Sequence, residues 1–445
     1  MNGTGAAVVV GGGLAGLAAA VELARAGVPV TLVEKARAPG GRAVTEDVAG
    51  GYRLNLGPHA LYRGGPAARA LAALGIAPAG GVPSARGLFA WDAGRLAVLP
   101  SGALSFLRTR LLGAGAKLEA AALLARIGAV DAAALDDTTV SAWVERAARR
   151  PSVRALLHAL VRVATYANDP GRMSAGAAVR QLQLVTRHSV LYLDGGWQVL
   201  VEALRTAALA AGAHILTGAR AVRVAPGRTV TLEDGTALPA AAAILATPPA
   251  EAAALTGSAT LQAWAADALP VRAACLTVAL SRLPVPGRLF ALGIDRPLYV
   301  SVHSATARLA PEGGALIHAA HYLGDAPAPD GAGELESLID ALQPGWRDVL
   351  VERRFLPHLT VTHALVRADR AGLAGRPGPA VPGLPGVFVA GDWVGPEGML
   401  ADTALSSARA AAALAAEVAS KQAAAPSLLA ASGRREVTMA LPEAP

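Results

Sequence analysis

Cysteine, lysine and aromatic residues are scarce in this sequence. Cys275 is the only cysteine, which excludes an internal disulfide framework and suits a reducing cytoplasm. Aromatic residues make up 4% of the chain, and Lys35, Lys117 and Lys421 are the only lysines among its 40 basic residues. The arginines are scattered and form no stripe with aromatic residues, so we expect no nucleic-acid partner.

Long apolar runs are missing as well. No stretch reaches the roughly 18 uninterrupted apolar residues of a membrane-spanning helix, and the N-terminus lacks the basic region of a signal peptide. We therefore expect a cytoplasmic protein, and the abundance of Ala, Gly, Pro and Arg is typical of a G+C-rich bacterium. The net charge of +7 leaves a peripheral contact with an anionic membrane open.

The histidines do not indicate a metal site. His318 and His321 are three residues apart on a predicted strand and should point to opposite faces. The neighbouring histidines are scattered along the chain, whereas a metal ion needs ligands that converge. We expect no bound metal.

The N-terminal residues fit the strand, turn, helix and strand of a dinucleotide-binding unit. The apolar run 6–10 predicts a buried parallel strand, and a G-x-G-x-x-G turn opens a helix directly after it. Free N–H groups at that helix start favour a pyrophosphate. The predicted binding turn consists of Gly11, Gly13, Leu14, Ala15 and Gly16.

Glu34 closes the second predicted strand. An acidic residue about 20 residues beyond the glycine turn binds the hydroxyl groups of an unphosphorylated ribose, and Glu34 stands close to that spacing after Gly16. An acid rather than a base at position 34 therefore favours FAD or NAD over NADP. Lys35 follows Glu34 and belongs to the same predicted contact region.

Residues 39–45, Pro-Gly-Gly-Arg-Ala-Val-Thr, come next. They resemble the G-G-R-x-x-T extension of the superfamily of flavin amine oxidases, protoporphyrinogen oxidases and phytoene desaturases, and residues 6–45 match that pattern almost continuously. The resemblance implies bound FAD, with Gly41 and Arg42 at its second phosphate. A glycine-flanked arginine suits this role because it is a charge-assisted donor.

Two further segments are placed by the same resemblance. The segment 51–61 would run under the flavin ring, which puts Gly57, Pro58 and His59 near the isoalloxazine. Family members also contact the adenine through the backbone of a valine, and we assign that position to Val222.

The C-terminal segment is the other one typical of the superfamily. An apolar strand over 385–390 ends in Gly391 and Asp392, and the resemblance implies that the acid meets the ribitol. A helix follows, and the N–H of Leu400 or Ala401 would face the flavin. A helix start there suits the chemistry, since reduced flavin carries negative charge.

The expected fold is α/β, with a discontinuous Rossmann-like FAD-binding domain and an inserted α+β substrate domain. The 445 residues, 53% of them hydrophobic, can form two or three domains. We assign residues 1–65, 190–265 and 380–419 to the FAD-binding domain and 66–189 and 266–379 to the substrate domain. Residues 66–190 should be mostly helical, including one helix over 105–127, and 420–445 should be a disordered tail.

The predicted function is FAD-dependent dehydrogenation of an apolar small molecule, such as an isoprenoid, a porphyrinogen-like ring or a secondary metabolite. Hydride would pass to flavin N5, with oxygen or another acceptor taking the electrons. The sequence identifies no catalytic residue beyond the flavin. The substrate-pocket candidates are His59, Tyr192, Trp197, Tyr299 and Trp393.

Three alternatives stay open. An amine or amino-acid oxidase is disfavoured because related amine oxidases use a lysine near flavin N5, and only Lys117 is available for that role. A prenyl-binding escort protein on the same scaffold would lack FAD. A mutase would use the flavin without net redox change.

Overall fold

The computed structural model describes residues 5–325 and 331–424. Its helices, in chain order, are α1 Leu14–Arg25, α2 Pro66–Ala73, α3 Ala103–Arg108, α4 Ala114–Arg126, α5 Val140–Ala147, α6 Pro151–Thr165, α7 Ala175–His188, α8 Gln198–Ala210, α9 Pro249–Thr256, α10 Ala259–Asp267, α11 Gly333–Leu342 and α12 Ala401–Ala424. Within these ranges, no helix is both long enough and apolar enough to cross a membrane.

The strands are β1 Ala7–Val10, β2 Val30–Glu34, β3 Thr45–Val48, β4 Tyr52–Asn55, β5 Leu61–Tyr62, β6 Gly80–Gly81, β7 Leu88–Asp92, β8 Arg95–Val98, β9 Val190–Leu193, β10 His214–Thr217, β11 Ala221–Val224, β12 Val230–Leu232, β13 Ala237–Leu238, β14 Ala242–Leu245, β15 Val271–Leu280, β16 Phe290–Gly293, β17 Leu298–Val302, β18 Ala315–Leu323, β19 Leu350–Thr362 and β20 Val387–Val389.

A five-stranded parallel sheet, in the order β10-β2-β1-β14-β20, forms the nucleotide-binding half. Its strands come from the N-terminal, central and C-terminal parts of the chain, as the discontinuous fold requires. Strand β1 is buried on both faces because helices cover one side and the β11–β13 sheet with α9 covers the other. The α/β fold class is therefore confirmed, whereas the domain boundaries stay a prediction.

A seven-stranded mixed sheet, in the order β19-β15-β18-β17-β16-β7-β8, forms the second half. Helix α11 packs on one of its faces. The other face carries Ala273, Cys275 and Ala320, with Cys275 paired to Ala320 across β15 and β18. Helices α4 to α7 form a separate apolar layer beside this sheet.

The expectation of a mostly helical stretch over 66–190 misses the strands β6, β7 and β8. Residues 88–98 form the hairpin β7–β8, which extends the large sheet through parallel pairing of β7 with β16. Its turn residues Ala93 and Gly94 have φ of 46° and 77°, the positive values that a tight hairpin turn needs.

Two helix boundaries also differ from expectation. The single helix predicted over 105–127 is divided into α3 and α4, because Thr109 adopts an extended backbone and its hydroxyl donates to Val98 O at 2.5 Å. Helix α12 continues to Ala424, so residues 420–424 are helical. The remainder of the predicted tail, 425–445, lies outside the described residues.

Candidate active site

A cavity of about 520 Å³ opens at the carboxyl ends of β1, β2, β14 and β20. Its wall then continues from the parallel sheet to the face of the mixed sheet that carries Cys275 and Ala320. Ligands of open α/β sheets bind at this edge, since the connecting loops and helix N-termini gather there. One elongated space thus joins the two halves of the protein.

The glycine turn between β1 and α1 forms the base of the cavity. Gly11 has φ of 106°, which favours glycine, and a Cβ on Gly16 would lie 1.8 Å from Gly11 O. Gly16 therefore serves close packing of helix and strand and does not line the cavity. Gly13 is different, because a Cβ there would meet nothing within 4 Å and would point into open space.

Glu34 lies at one end of the cavity and is 9% exposed. Its carboxylate accepts hydrogen bonds from Gly12 N at 2.6 Å and Ala36 N at 2.7 Å. A carboxylate has about four acceptor positions, so this fixed group keeps capacity for further donors. Lys35 and Glu251 line the same end and form an exposed ion pair of 2.9 Å.

Arg42 and Asp392 meet in the middle of the cavity wall. Their charged groups are 2.7 Å apart, and His363 Nδ1 lies 3.0 Å from the other oxygen of Asp392. Burial alone would raise the pKa of the Asp392 carboxyl, but Arg42 and His363 outweigh it and hold that pKa well below its usual range. Asp392 is therefore a fixed, buried anion at the end of β20.

His59 and Trp197 form an aromatic corner of the cavity, with ring centroids 5.0 Å apart. His59 Nδ1 lies 3.0 Å from Gly57 O, and because a carbonyl only accepts, Nδ1 must carry the proton. Burial lowers the pKa of His59, so the ring is neutral and its Nε2 is an acceptor. Pro58 also lines this corner, while Gly57 is turned toward Cys275.

The start of α12 also faces the cavity. Leu400 and Ala401 line it, and Leu400 has φ of 57°, which is uncommon for a side chain of this size. Gly391 lines the wall nearby. This places a second helix N-terminus, with its free N–H groups, beside the one at α1.

The part of the cavity against the mixed sheet is apolar and contains no charged side chain among its described residues. Its wall consists of Leu56, Tyr166, Ala273, Cys275, Ala320 and Leu359. Burial raises the pKa of the Cys275 thiol to about 12, which makes it a poor nucleophile. Tyr166 ends α6 in the left-handed conformation, with φ of 59°, so that its side chain reaches the cavity.

Several predicted contacts lie elsewhere. Tyr192 stacks on His303 with centroids 4.0 Å apart, and its hydroxyl lies 3.3 Å from that of Tyr299, so both are buried in a cluster off the cavity wall. Val222 is 46% exposed and is not on the wall either, because Ala221 takes the inward position on β11. Trp393 does line the cavity, and its indole N–H donates to Thr247 O.

Tyr166, Cys275 and His363 line the cavity, but none of them was predicted from the sequence to be a site residue. Tyr166 follows a helix without any motif, and its positive φ leaves no sequence signal. His363 belongs to a scattered set of histidines. Only the strand pairing of the folded chain brings these residues together.

The lysines are distributed as follows. Lys35 is the only lysine among the cavity-lining residues, and it lies at the Glu34 end. Lys117 is on α4, where its ammonium group donates to Leu107 O at 3.0 Å. The apolar part of the cavity against the mixed sheet, called the apolar chamber below, therefore has no lysine among its described wall residues.

Comparison with known proteins agrees with this arrangement. The family model for flavin-containing amine oxidoreductases matches residues 14–275, more than half of the chain. The chain belongs to this family, and the resemblance found in its motifs is confirmed. It is an FAD-dependent oxidoreductase.

Short stretches are similar to characterised relatives. The chain is 56% identical over 54 residues to a phytoene dehydrogenase of Streptomyces griseus and 50% identical over 57 residues to a neurosporene-forming phytoene desaturase of Rhodobacter capsulatus. These alignments span 12% and 13% of this chain and only 10% and 11% of the relatives.

Solved structures share the whole fold at low identity. Wild-type putrescine oxidase bound to putrescine is 18% identical, with a TM-score of 0.69 over 92% of this chain and 98% of that one. An oxidoreductase from Methanosarcina mazei is also 18% identical, with a TM-score of 0.68 over 90% and 98%. Reduced UDP-galactopyranose mutase is 15% identical, with a TM-score of 0.66 over 95% and 98%.

Proposed function

We propose that this protein dehydrogenates an apolar small molecule held against the mixed sheet. The observation that carries the proposal is the apolar chamber at the Cys275 end of the cavity, whose described wall has neither a lysine nor a carboxylate. When bound, the FAD accepts a hydride equivalent from the substrate and passes the electrons to oxygen or to another acceptor.

The cavity residues fit FAD. The open space beside Gly13, at the start of α1, suits a pyrophosphate, and Glu34 offers acceptors to a ribose. Arg42 uses its Nη1 on Asp392 and Val361 O, so other donors of the guanidinium are free for a phosphate. Asp392 offers its carboxylate to the ribitol.

The residues that would contact the isoalloxazine ring of the flavin are assigned in the same way. Pro58, His59 and Trp197 form one wall for the isoalloxazine, and the N–H groups at Leu400 and Ala401 stabilise negative charge near it. Because Val222 does not reach the wall, Ala219 and Ala221 are the better candidates for the adenine contact.

His59 is the residue best placed to accept a proton. Dehydrogenation removes a proton as well as a hydride, and Nε2 of the neutral His59 ring is an acceptor beside the cavity. Tyr166 lines the chamber, and its hydroxyl is a candidate to orient a substrate that carries a polar atom. The apolar wall excludes water from the reacting atoms.

An amine oxidase is the competing function. The fold shared with putrescine oxidase does not decide between the two, because an identity of 18% transfers the fold alone. The lysine distribution favours the apolar substrate. The single buried thiol supports a cytoplasmic location as part of the proposal.

The test is anaerobic bleaching of the bound flavin. The purified holoenzyme is mixed with an isoprenoid hydrocarbon in mild detergent, with a porphyrinogen and, separately, with putrescine and benzylamine. We expect bleaching by an apolar compound and none by the amines. Rapid bleaching by either amine would contradict the proposal and favour amine oxidation as the function.

A further inference from the structure

The three most exposed large apolar side chains of the described chain lie close together in the sequence. Leu104 and Leu107 on α3 and Leu118 on α4 are 58%, 76% and 75% exposed. The Lys117 ammonium group donates to Leu107 O at 3.0 Å and so ties the two helices together. We call these two helices and their connection, residues 101–126, the α3–α4 surface.

The outward side of α4 lacks the charges that a solvent-facing helix side usually carries. Apart from Arg126, its last residue, all exposed residues of α4 are apolar. They are Ala114, Leu118, Ala121, Ala122 and Ala125. Ala116 and Ala120 are buried on the opposite side, in the helical layer. The helix is thus apolar on both sides, which is typical of a helix that contacts another apolar phase.

The rim of the α3–α4 surface is basic. Arg108, Arg110 and Arg126 are exposed, and none of them forms an ion pair with another described residue. Glu119 is the only acid between residues 101 and 126, and it pairs with Arg150 at 2.6 Å. Exposed leucines with cations at their edge match the interface of an anionic bilayer, where acyl chains lie beneath negative headgroups.

We propose that the α3–α4 surface docks the protein onto an anionic lipid bilayer. A bilayer fits better than a protein partner, because the charges near the leucines that have no described ion-pair partner, those of Arg108, Arg110 and Arg126, are all positive. The surface is also linked to the site by helix packing, since α4 packs on α6, and Tyr166 at the end of α6 lies on the cavity wall. The proposal does not depend on which substrate the enzyme takes.

The experiment is co-sedimentation of the full-length holoenzyme with vesicles of phosphatidylcholine, with and without phosphatidylglycerol. Two double variants, Leu107→Glu/Leu118→Glu and Arg108→Glu/Arg110→Glu, are compared with Leu209→Glu. Leu209 is a matched control, because it is 45% exposed on α8 and lies outside the surface. Flavin content and thermal unfolding verify that each variant is folded.

We expect wild type and Leu209→Glu to bind the anionic vesicles equally, and both double variants to bind at least tenfold more weakly. Added salt should weaken wild-type binding, since the headgroup attraction is screened. Absence of wild-type binding, or an equal loss in Leu209→Glu, would overturn the proposal. So would a wild-type oligomer that Leu107→Glu/Leu118→Glu converts to monomers, because the surface would then be a subunit interface.

Discussion

Gly13 and Gly16 belong to the same turn, yet the structure predicts opposite consequences for replacing them. At Gly13 the backbone has φ of −75°, which any residue adopts, and an added Cβ meets no protein atom within 4 Å. At Gly16 the added Cβ would lie 1.8 Å from Gly11 O, a backbone atom. Gly13→Ala should therefore leave the stability of the apoprotein nearly unchanged, whereas Gly16→Ala should lower it.

The magnitudes follow from the surroundings. Gly13 precedes α1 as its N-cap, where alanine costs roughly 0.5–1 kcal/mol more than glycine. Alanine also lowers the conformational entropy of the unfolded chain, which raises the free energy of unfolding by about 0.4–1 kcal/mol. The free energy of unfolding of apo Gly13→Ala should thus stay within about 1 kcal/mol of wild type. Gly16→Ala forces a backbone shift and should lose about 3 kcal/mol or more.

The FAD affinity of Gly13→Ala should fall nevertheless, because the new methyl group occupies the space assigned to the pyrophosphate. A steric conflict of about 1–3 kcal/mol corresponds to roughly a 5- to 150-fold rise in Kd. Gly113→Ala is the matched control, since Gly113 is the N-cap of α4, has φ of −69° and also has nothing within 4 Å.

The assay has two parts. Urea unfolding of the apoproteins gives their stability, and titration with FAD, followed by flavin fluorescence, gives Kd. The expected pattern is near-wild-type stability for Gly13→Ala and Gly113→Ala, with weakened FAD binding in Gly13→Ala alone. If folded Gly13→Ala binds FAD as tightly as wild type, the pyrophosphate does not lie at the start of α1.

Three other predictions concern the remaining site residues. Acid precipitation should release all FAD into the supernatant, because the pKa of about 12 keeps Cys275 protonated; a yellow pellet would contradict noncovalent binding. Lys117→Met should change flavin reduction and air reoxidation in stopped-flow measurements by less than about threefold, below ~1 kcal/mol in barrier, and a hundredfold loss would favour an amine substrate. The pKa of Asp392 is lower in the folded protein than in the unfolded chain, so its carboxylate contributes to the free energy of unfolding. This contribution is complete above the ordinary carboxyl pKa of about 4, and it is lost as the pH falls through the lower pKa of the folded protein. In urea melts, the stability difference between wild type and Asp392→Asn should therefore narrow below about pH 4, and an unchanged difference at about pH 3 would refute the assignment.

The nucleotide half of the cavity could be predicted from the sequence because its residues are close together in the chain. Gly11, Gly13 and Glu34 belong to one strand–helix–strand unit whose geometry follows from glycine spacing and an acidic strand end. Gly391 and Asp392 carry a similar local pattern at the end of β20. The structure places all five residues on the cavity wall.

The substrate half could not be predicted in this way. Tyr166 reaches the chamber only through its left-handed backbone. Tyr192 and Tyr299, which were predicted to line the substrate pocket, are instead buried in a cluster with His303. The hairpin β7–β8 shows the same limit, since its place is decided by pairing with β16, a strand far later in the chain. Long-range pairing leaves little trace in local residue patterns.

Strand register is what determines the chemistry of the chamber. Cys275 and Ala320 are paired on neighbouring strands and face the cavity together. Because side chains alternate along a strand, a shift of one residue would present Leu276 and Ala319 there instead, and the chamber would change its volume. Putrescine oxidase and UDP-galactopyranose mutase share this fold at identities of 18% and 15%, yet they are named for different compounds. The residues that select the substrate are therefore expected in the wall formed by β15, β18 and Tyr166, and not in the glycine turn between β1 and α1.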